Sequence, residues 1–156
     1  MGRIEVTKTS GEVMGLHGGE WRIHASAVDD SKVISDALSW LSGGESEIIC
    51  QKEKSALGAP MQTISVKMKS KQAMLSLGRV EMDSLSSILE VGLESRIDDD
   101  KFLHIRLDLG RLVQGEGVVS QNSKIPSAKG KFKLEVYPGQ EAIDVAEKLI
   151  ERLVNG

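Results

Sequence analysis

The sequence predicts an α+β fold: a two-layer sandwich with helices on one face of a mainly antiparallel sheet of about six strands. Three observations carry the prediction. Short segments such as Thr63–Lys69 (TISVKMK) and Phe102–Asp108 (FLHIRLD) alternate apolar and polar residues, the pattern of strands with one buried and one wet face. Other segments repeat apolar residues at helical spacing, as a helix covering that buried face requires. A chain of 156 residues buries roughly 68–70% of its unfolded surface, so one core suffices without disulfide or metal.

Residues 1–19 carry Gly2, Gly11, Gly15, Gly18 and Gly19 among short polar pieces and read as a flexible extension. Ile4–Thr7 is the one piece there with strand character, and His17 receives no role. A single domain is expected from residue 20 to 156. It opens with a strand in which Trp21, Ile23, Ala25 and Ala27 alternate with Arg22, His24 and Ser26. Asp29-Asp30 then caps a helix with Val33, Ala37, Leu38 and Leu41 on its stripe, stopped by Gly43-Gly44.

Glu47–Glu53 is a second strand whose register stays open between Ile48 with Cys50 and Ile49 with Gln51. The loop containing Gly58 and Pro60 joins it as a hairpin to Thr63–Lys69, with Ile64, Val66 and Met68 inward. A short helix, Lys71–Leu77, ends at Gly78. A longer one from Ser84 to about Ser95, capped by Asp83, buries Leu85, Ile88, Leu89 and Leu93. Asp98-Asp99-Asp100 lacks the spaced ligands of a calcium loop and reads as a solvated turn. Phe102–Asp108 points Leu103, Ile105 and Leu107 inward. A kinked connection leads to a short strand near Gly117–Val119, then to a mobile loop, Gln121–Gly130. The last strand, Lys131–Tyr137, buries Phe132, Leu134 and Val136. Pro138-Gly139 opens a closing helix to Val154, with Ala142, Ala146, Leu149, Ile150 and Leu153 on one face.

Several function classes drop out. One cysteine, Cys50, excludes an internal disulfide, and its expected state is a buried hydrophobe. No apolar run approaches the ~20 residues of a membrane span, no signal peptide is read, and a reducing cytoplasm is the expected location. No P-loop, dinucleotide loop or nucleophile turn occurs, so neither a catalytic set, a cofactor nor a metal is expected. A small hydrolase using His24 or His104 with Asp108 is the rival enzymatic reading, motivated only by their shared outward parity.

Charge is segregated despite a net charge of −3. From Gln51 to Arg79 six cations oppose only Glu53, and from Lys124 to Lys133 four cations oppose no acid. Glu81 to Asp100 holds seven acids and one arginine. The outward parity of the strands presents Arg22, His24, Ser26, Thr63, Ser65, Lys67, Lys69, His104, Arg106, Asp108, Lys131 and Lys133. A cationic sheet with anionic helices focuses positive potential where phosphate backbones bind. Phe102 is the only aromatic of that parity, so base stacking is not the expected mode.

The strand-turn-helix Ile23-His-Ala-Ser-Ala-Val-Asp-Asp30, followed by Lys32-Val33, resembles a small archaeal family described as predicted RNA-binding proteins or exosome subunits. His104-Ile-Arg-Leu-Asp108 and Tyr137-Pro138 are similar to that family's later motifs. The likeness covers about residues 20 to 154. It departs at Ala56-Leu-Gly-Ala-Pro60, where the family has a glycine- and histidine-rich turn, and at Leu109-Gly110. The resemblance implies a fold like that of the ribosomal protein that holds 5S ribosomal RNA. The expectation is a non-catalytic protein that binds structured RNA through Arg22, His24, Lys52, Lys54, Lys67, Lys69, Lys71, Arg106, Lys131 and Lys133, with exosome or ribosomal components as further partners. A protein-interaction subunit of an RNA-processing assembly, its acidic helices meeting a basic partner, is the alternative.

Overall fold

A central strand carrying a fully buried tryptophan sets the architecture. The computed structural model describes residues 15–120, 122 and 124–156; the expectations for residues 1–14, including a strand at Ile4–Thr7, lie outside the described residues. The chain runs β1 (Leu16–Ser26), α1 (Ser31–Ser42), β2 (Ile48–Lys54), β3 (Pro60–Lys69), α2 (Ser70–Gly78) and α3 (Met82–Val91). A 3-10 turn (Glu94–Arg96) follows, then β4 (Phe102–Asp108), α4 (Leu109–Leu112), β5 (Ser127–Leu134) and α5 (Ala142–Asn155). Among the described residues the sheet has five strands in the order β2-β3-β1-β5-β4, and every neighbouring pair is antiparallel.

The α+β class and the antiparallel open sheet are as the sequence predicts. The expected sixth strand near Gly117–Val119 is instead two isolated bridges, Val80 to Gly117 and Leu107 to Val119. β1 begins at Leu16, so Leu16, Gly18 and Gly19, assigned to the extension from sequence, pair within the sheet. Gly18 and Gly19 are strand residues there, opposite Lys69 and Met68.

The core lies between the sheet and its helices. Trp21, Ile23, Ile64, Val66, Leu103, Ile105, Leu107, Phe132 and Leu134 supply the sheet side, and Leu38, Leu41, Leu77, Leu149 and Ile150 the helix side. The Trp21 indole meets Phe132 edge to face at 5.3 Å between centroids and 79° between planes. Its Nε1–H donates to Ser76 Oγ, which accounts for a buried serine on α2. Gly130 pairs with Trp21 across β1 and β5. A Cβ on Gly130 would lie 2.5 Å from the indole Cζ3. The sequence reads Gly130 as the end of a loop; it sits inside β5 because the tryptophan occupies the space of its missing side chain.

Three local expectations shift. On α1, capped by Asp30 accepting from the Lys32 and Val33 N–H groups, Ala37, Leu38 and Leu41 are buried as expected, while Ile34 takes the inward place expected of Val33, which is 44% exposed. α3 starts before Asp83, which occupies its first turn, and Gly92 at φ 105° ends it. Cys50 is exposed, not buried. It sits on β2, the sheet's edge, where only Ile48 is half-buried. Pairing of Cys50 with Ile64 fixes the open register: Cys50, Lys52 and Lys54 share the helix-side parity, and Ile49, Gln51 and Glu53 the open side.

Candidate nucleic-acid interface

The register of the open sheet face aligns its polar residues into rows across the strands. One row runs Ser65, Arg22, Lys129, Arg106 from β3 to β4. The next runs Lys67, Glu20, Lys131, His104, and the third Lys69, Gly18, Lys133, Phe102. Directly opposed residues of an antiparallel pair hold their Cβ atoms about 4.5–5.5 Å apart. Alternation thus puts the lysines on one surface, and register turns them into a continuous field.

Seven of the ten residues expected from sequence meet on this face: Arg22, His24, Lys67, Lys69, Arg106, Lys131 and Lys133. Lys52 and Lys54 lie at the β2 edge with the parity of the helix side, and Lys71 lies on α2. These three are exposed but do not share the open face.

The face is also less uniformly basic than alternation implies. Glu20 lies between Lys67 and Lys131 and binds Arg22 Nη2 at 2.7 Å. Glu53 Oε2 accepts from Thr63 Oγ1 at 3.2 Å, and that hydroxyl lies 3.1 Å from His24 Nδ1. Apart from the imidazoles of His24 and His104, Phe102 is the lone ring on this parity among the described residues, and two ammonium groups flank it. The ammonium groups of Lys131 and Lys133 lie 4.4 and 4.8 Å from its centroid, a favourable contact of cation with ring.

The histidine–aspartate arrangement considered from sequence is not assembled. His104 Nε2 lies 2.7 Å from Asp98 Oδ2. Asp108 instead accepts from the Arg111 N–H at the start of α4. The His104 hydrogen bond holds the Asp98 carboxyl below its ordinary value, aided by the Phe102 and Asp100 N–H groups. Asp98 is the folding centre of the acidic turn, as its bonds to those two N–H groups at 3.0 and 2.9 Å make clear. No group of histidine, cysteine or carboxylate side chains suited to a metal occurs among the described residues. No helix among them is long and apolar enough to cross a membrane.

Two cations escaped the sequence reading. Lys129 has the outward parity of Lys131 and Lys133, a signal masked by taking Gly130 as a turn. Arg96, on the 3-10 turn, had no periodic signal at all. With Arg106, His104, Ser95 and Ser120 they line a concavity of about 360 Å3. The Arg96 guanidinium is held below its ordinary value, first by burial and then by the Arg106 charge.

An α+β protein with an open, cation-lined antiparallel sheet is the class these features define. A family model described as RNA binding matches residues 20–132, and the chain belongs to that family. No curated protein matches the chain. Among solved structures, a DUF54 protein from Archaeglobus fulgidus is 26% identical, with 88% of this chain and 96% of that chain covered at a TM-score of 0.68. A DUF54 protein from Methanothermobacter thermautotrophicus is 18% identical, covering 89% and 98%, at 0.67. A UPF0201 protein from Methanococcus jannaschii is 9% identical, covering 88% and 98%, at 0.59. The last two likenesses are of fold.

Proposed function

We propose that this protein binds structured RNA, without catalysing its conversion, through phosphate contacts made by the open sheet face. The observation that supports the reading most is the register. It brings Arg22, Lys67, Lys69, Lys129, Arg106, Lys131 and Lys133 onto one surface of four adjacent strands, in a chain whose family carries an RNA-binding description. His24 joins them, while Lys52 and Lys54 on the β2 edge and Lys71 on α2 are secondary contacts off this face in the same reading. Because Phe102 is covered by two ammonium groups, the face lacks a stacking platform of the kind single-strand binders use. Lysine and arginine without stacking read the backbone and shape of a duplex.

The fold implied by the resemblance, that of the ribosomal protein holding 5S ribosomal RNA, is consistent with such a role. On the same resemblance we propose a role in RNA processing as an accessory to exosome or ribosome, and on the single cysteine a reducing cytoplasm as its location. The test is binding to hairpin and unstructured RNAs of several sequences. Tighter binding to the hairpins is expected, with Lys67→Ala and Lys131→Ala each weakening all of them to a similar degree. Preference for unstructured RNA, unchanged by either substitution, overturns the reading.

One observation favours the protein-interaction alternative. A groove of about 430 Å3 between α1 and α4 exposes Val33, Val113 and Ile125 beside Asp29, Asp30 and Asp108. Its acidic rim suits a basic, apolar segment of a partner. A complex that survives RNase treatment and is lost in Val33→Asp would support this second reading.

A further inference from the structure

The concavity on the outer edge of β4 differs in kind from the rest of the basic face. Ile97 bridges to Leu103 and Val119 to Leu107, so chain covers that edge at both ends and leaves a walled opening between. Cations enter it from three separate elements: Arg96 from the 3-10 turn, Arg106 from β4 and Lys129 from β5. None of these three takes part in an ion pair among the described residues, and the Arg96 Nη1–H donates only to the His104 carbonyl, at 3.5 Å. Ser95 and Ser120 add hydroxyls to the lining. Like charges gathered in a partly buried site without a counter-charge oppose each other, and an anion between them relieves that cost.

We propose that this pocket binds a phosphomonoester, the phosphorylated terminal nucleotide of an RNA strand. The proposal rests on the RNA-binding reading and adds a ligand class to one end of that face. Charge selects the monoester. An internal phosphodiester carries one negative charge, whereas a monoester carries about −1.5 to −2 near neutral pH, a better match to three converging cations. The terminal oxygens favour it too, because a monoester offers three and an internal diester two to the N–H donors of Arg96 and Arg106 on the lining. Size sets the limit. At about 360 Å3 the pocket falls near the lower end of small-ligand sites, roughly 300–1,000 Å3, which suits one nucleotide and not a passing strand.

The test compares one RNA hairpin bearing a 5′-phosphate, a 3′-phosphate or only hydroxyl ends, and titrates a free nucleoside monophosphate alongside. At least one phosphorylated form should bind about tenfold more tightly than the hydroxyl form. Arg96→Gln and Lys129→Gln should each bring that ratio close to one, and Lys67→Ala should lower both affinities while leaving the ratio intact. Arg96 is half-buried, so the exposed Lys129 guards against a variant that merely fails to fold. Binding of the hydroxyl-ended hairpin tests the RNA reading by itself; the ratio tests the pocket. If no RNA binds, saturable binding of the monophosphate that Lys129→Gln abolishes still supports the pocket. Equal affinity for all three ends, a ratio unchanged in both pocket variants, or unsaturable monophosphate binding overturns it.

Discussion

Trp21 and Gly130 face each other across the β1–β5 pair of the sheet, and the fit depends on a side chain that is absent. A methyl group at Gly130 would meet the indole at 2.5 Å and the Phe132 ring at 2.9 Å, both fully buried. Gly130→Ala should therefore destabilise the protein by about 1–3 kcal/mol, the usual cost of overpacking, read as a lower denaturant midpoint at unchanged slope. A second prediction concerns Asp98. Its folded-state value is depressed, so its contribution is complete above the ordinary carboxylate value of about 3.9 and is lost as pH falls through the folded value. The thermal stability of the parent should exceed that of Asp98→Asn at about pH 6, with the gap closing in acid below the ordinary carboxylate value; a gap that stays constant would mean the His104 contact contributes nothing. At this scale the sequence was legible wherever alternation was clean: Ile64, Val66, Leu103 and Ile105 are inward as expected. It was not legible at Lys129, because a glycine that accommodates a tryptophan looks the same as a glycine that makes a turn.

Among the elements, α5 has the plainest role. Ala146, Leu149 and Ile150 are buried, and the helix packs on α3 and β5. Leu149→Asp should abolish the cooperative unfolding transition, since an unpaired buried carboxylate costs several kcal/mol; a melt like that of the parent would place α5 elsewhere. Ile34→Asp should act likewise through α1, which packs on β3 and α2. Both helices were readable from their spacing, as was the β2–β3 hairpin. The edge strand was not: with little of β2 buried, no apolar face specifies its register, and only pairing with β3 decides it. For the same reason Cys50 is open to solvent. The sixth strand failed because the segment around Gly117–Val119 touches two different elements, Val80 and Leu107, and forms a ladder with neither.

Over the whole molecule the charge pattern was legible before the fold, but its geometry was not. Sequence blocks announced a cationic sheet and anionic helices, yet only register could show that Glu20 sits among the lysines and that Lys52, Lys54 and Lys71 lie off the open face. Arg96 joins the basic field through a turn that crosses the β4 edge, a long-range consequence no local pattern encodes. On the proposed reading, phosphate contacts from this face, not stacked bases, hold the RNA. The most direct test is the salt dependence of binding to a single hairpin RNA. Phosphate contacts predict a linear fall of log affinity with log salt, with a slope of about −0.7 to −0.9 per phosphate contacted. Lys67→Ala and Lys131→Ala should each make that slope shallower by about one. An affinity independent of salt, or a slope identical in the parent and both variants, would contradict binding through phosphate contacts.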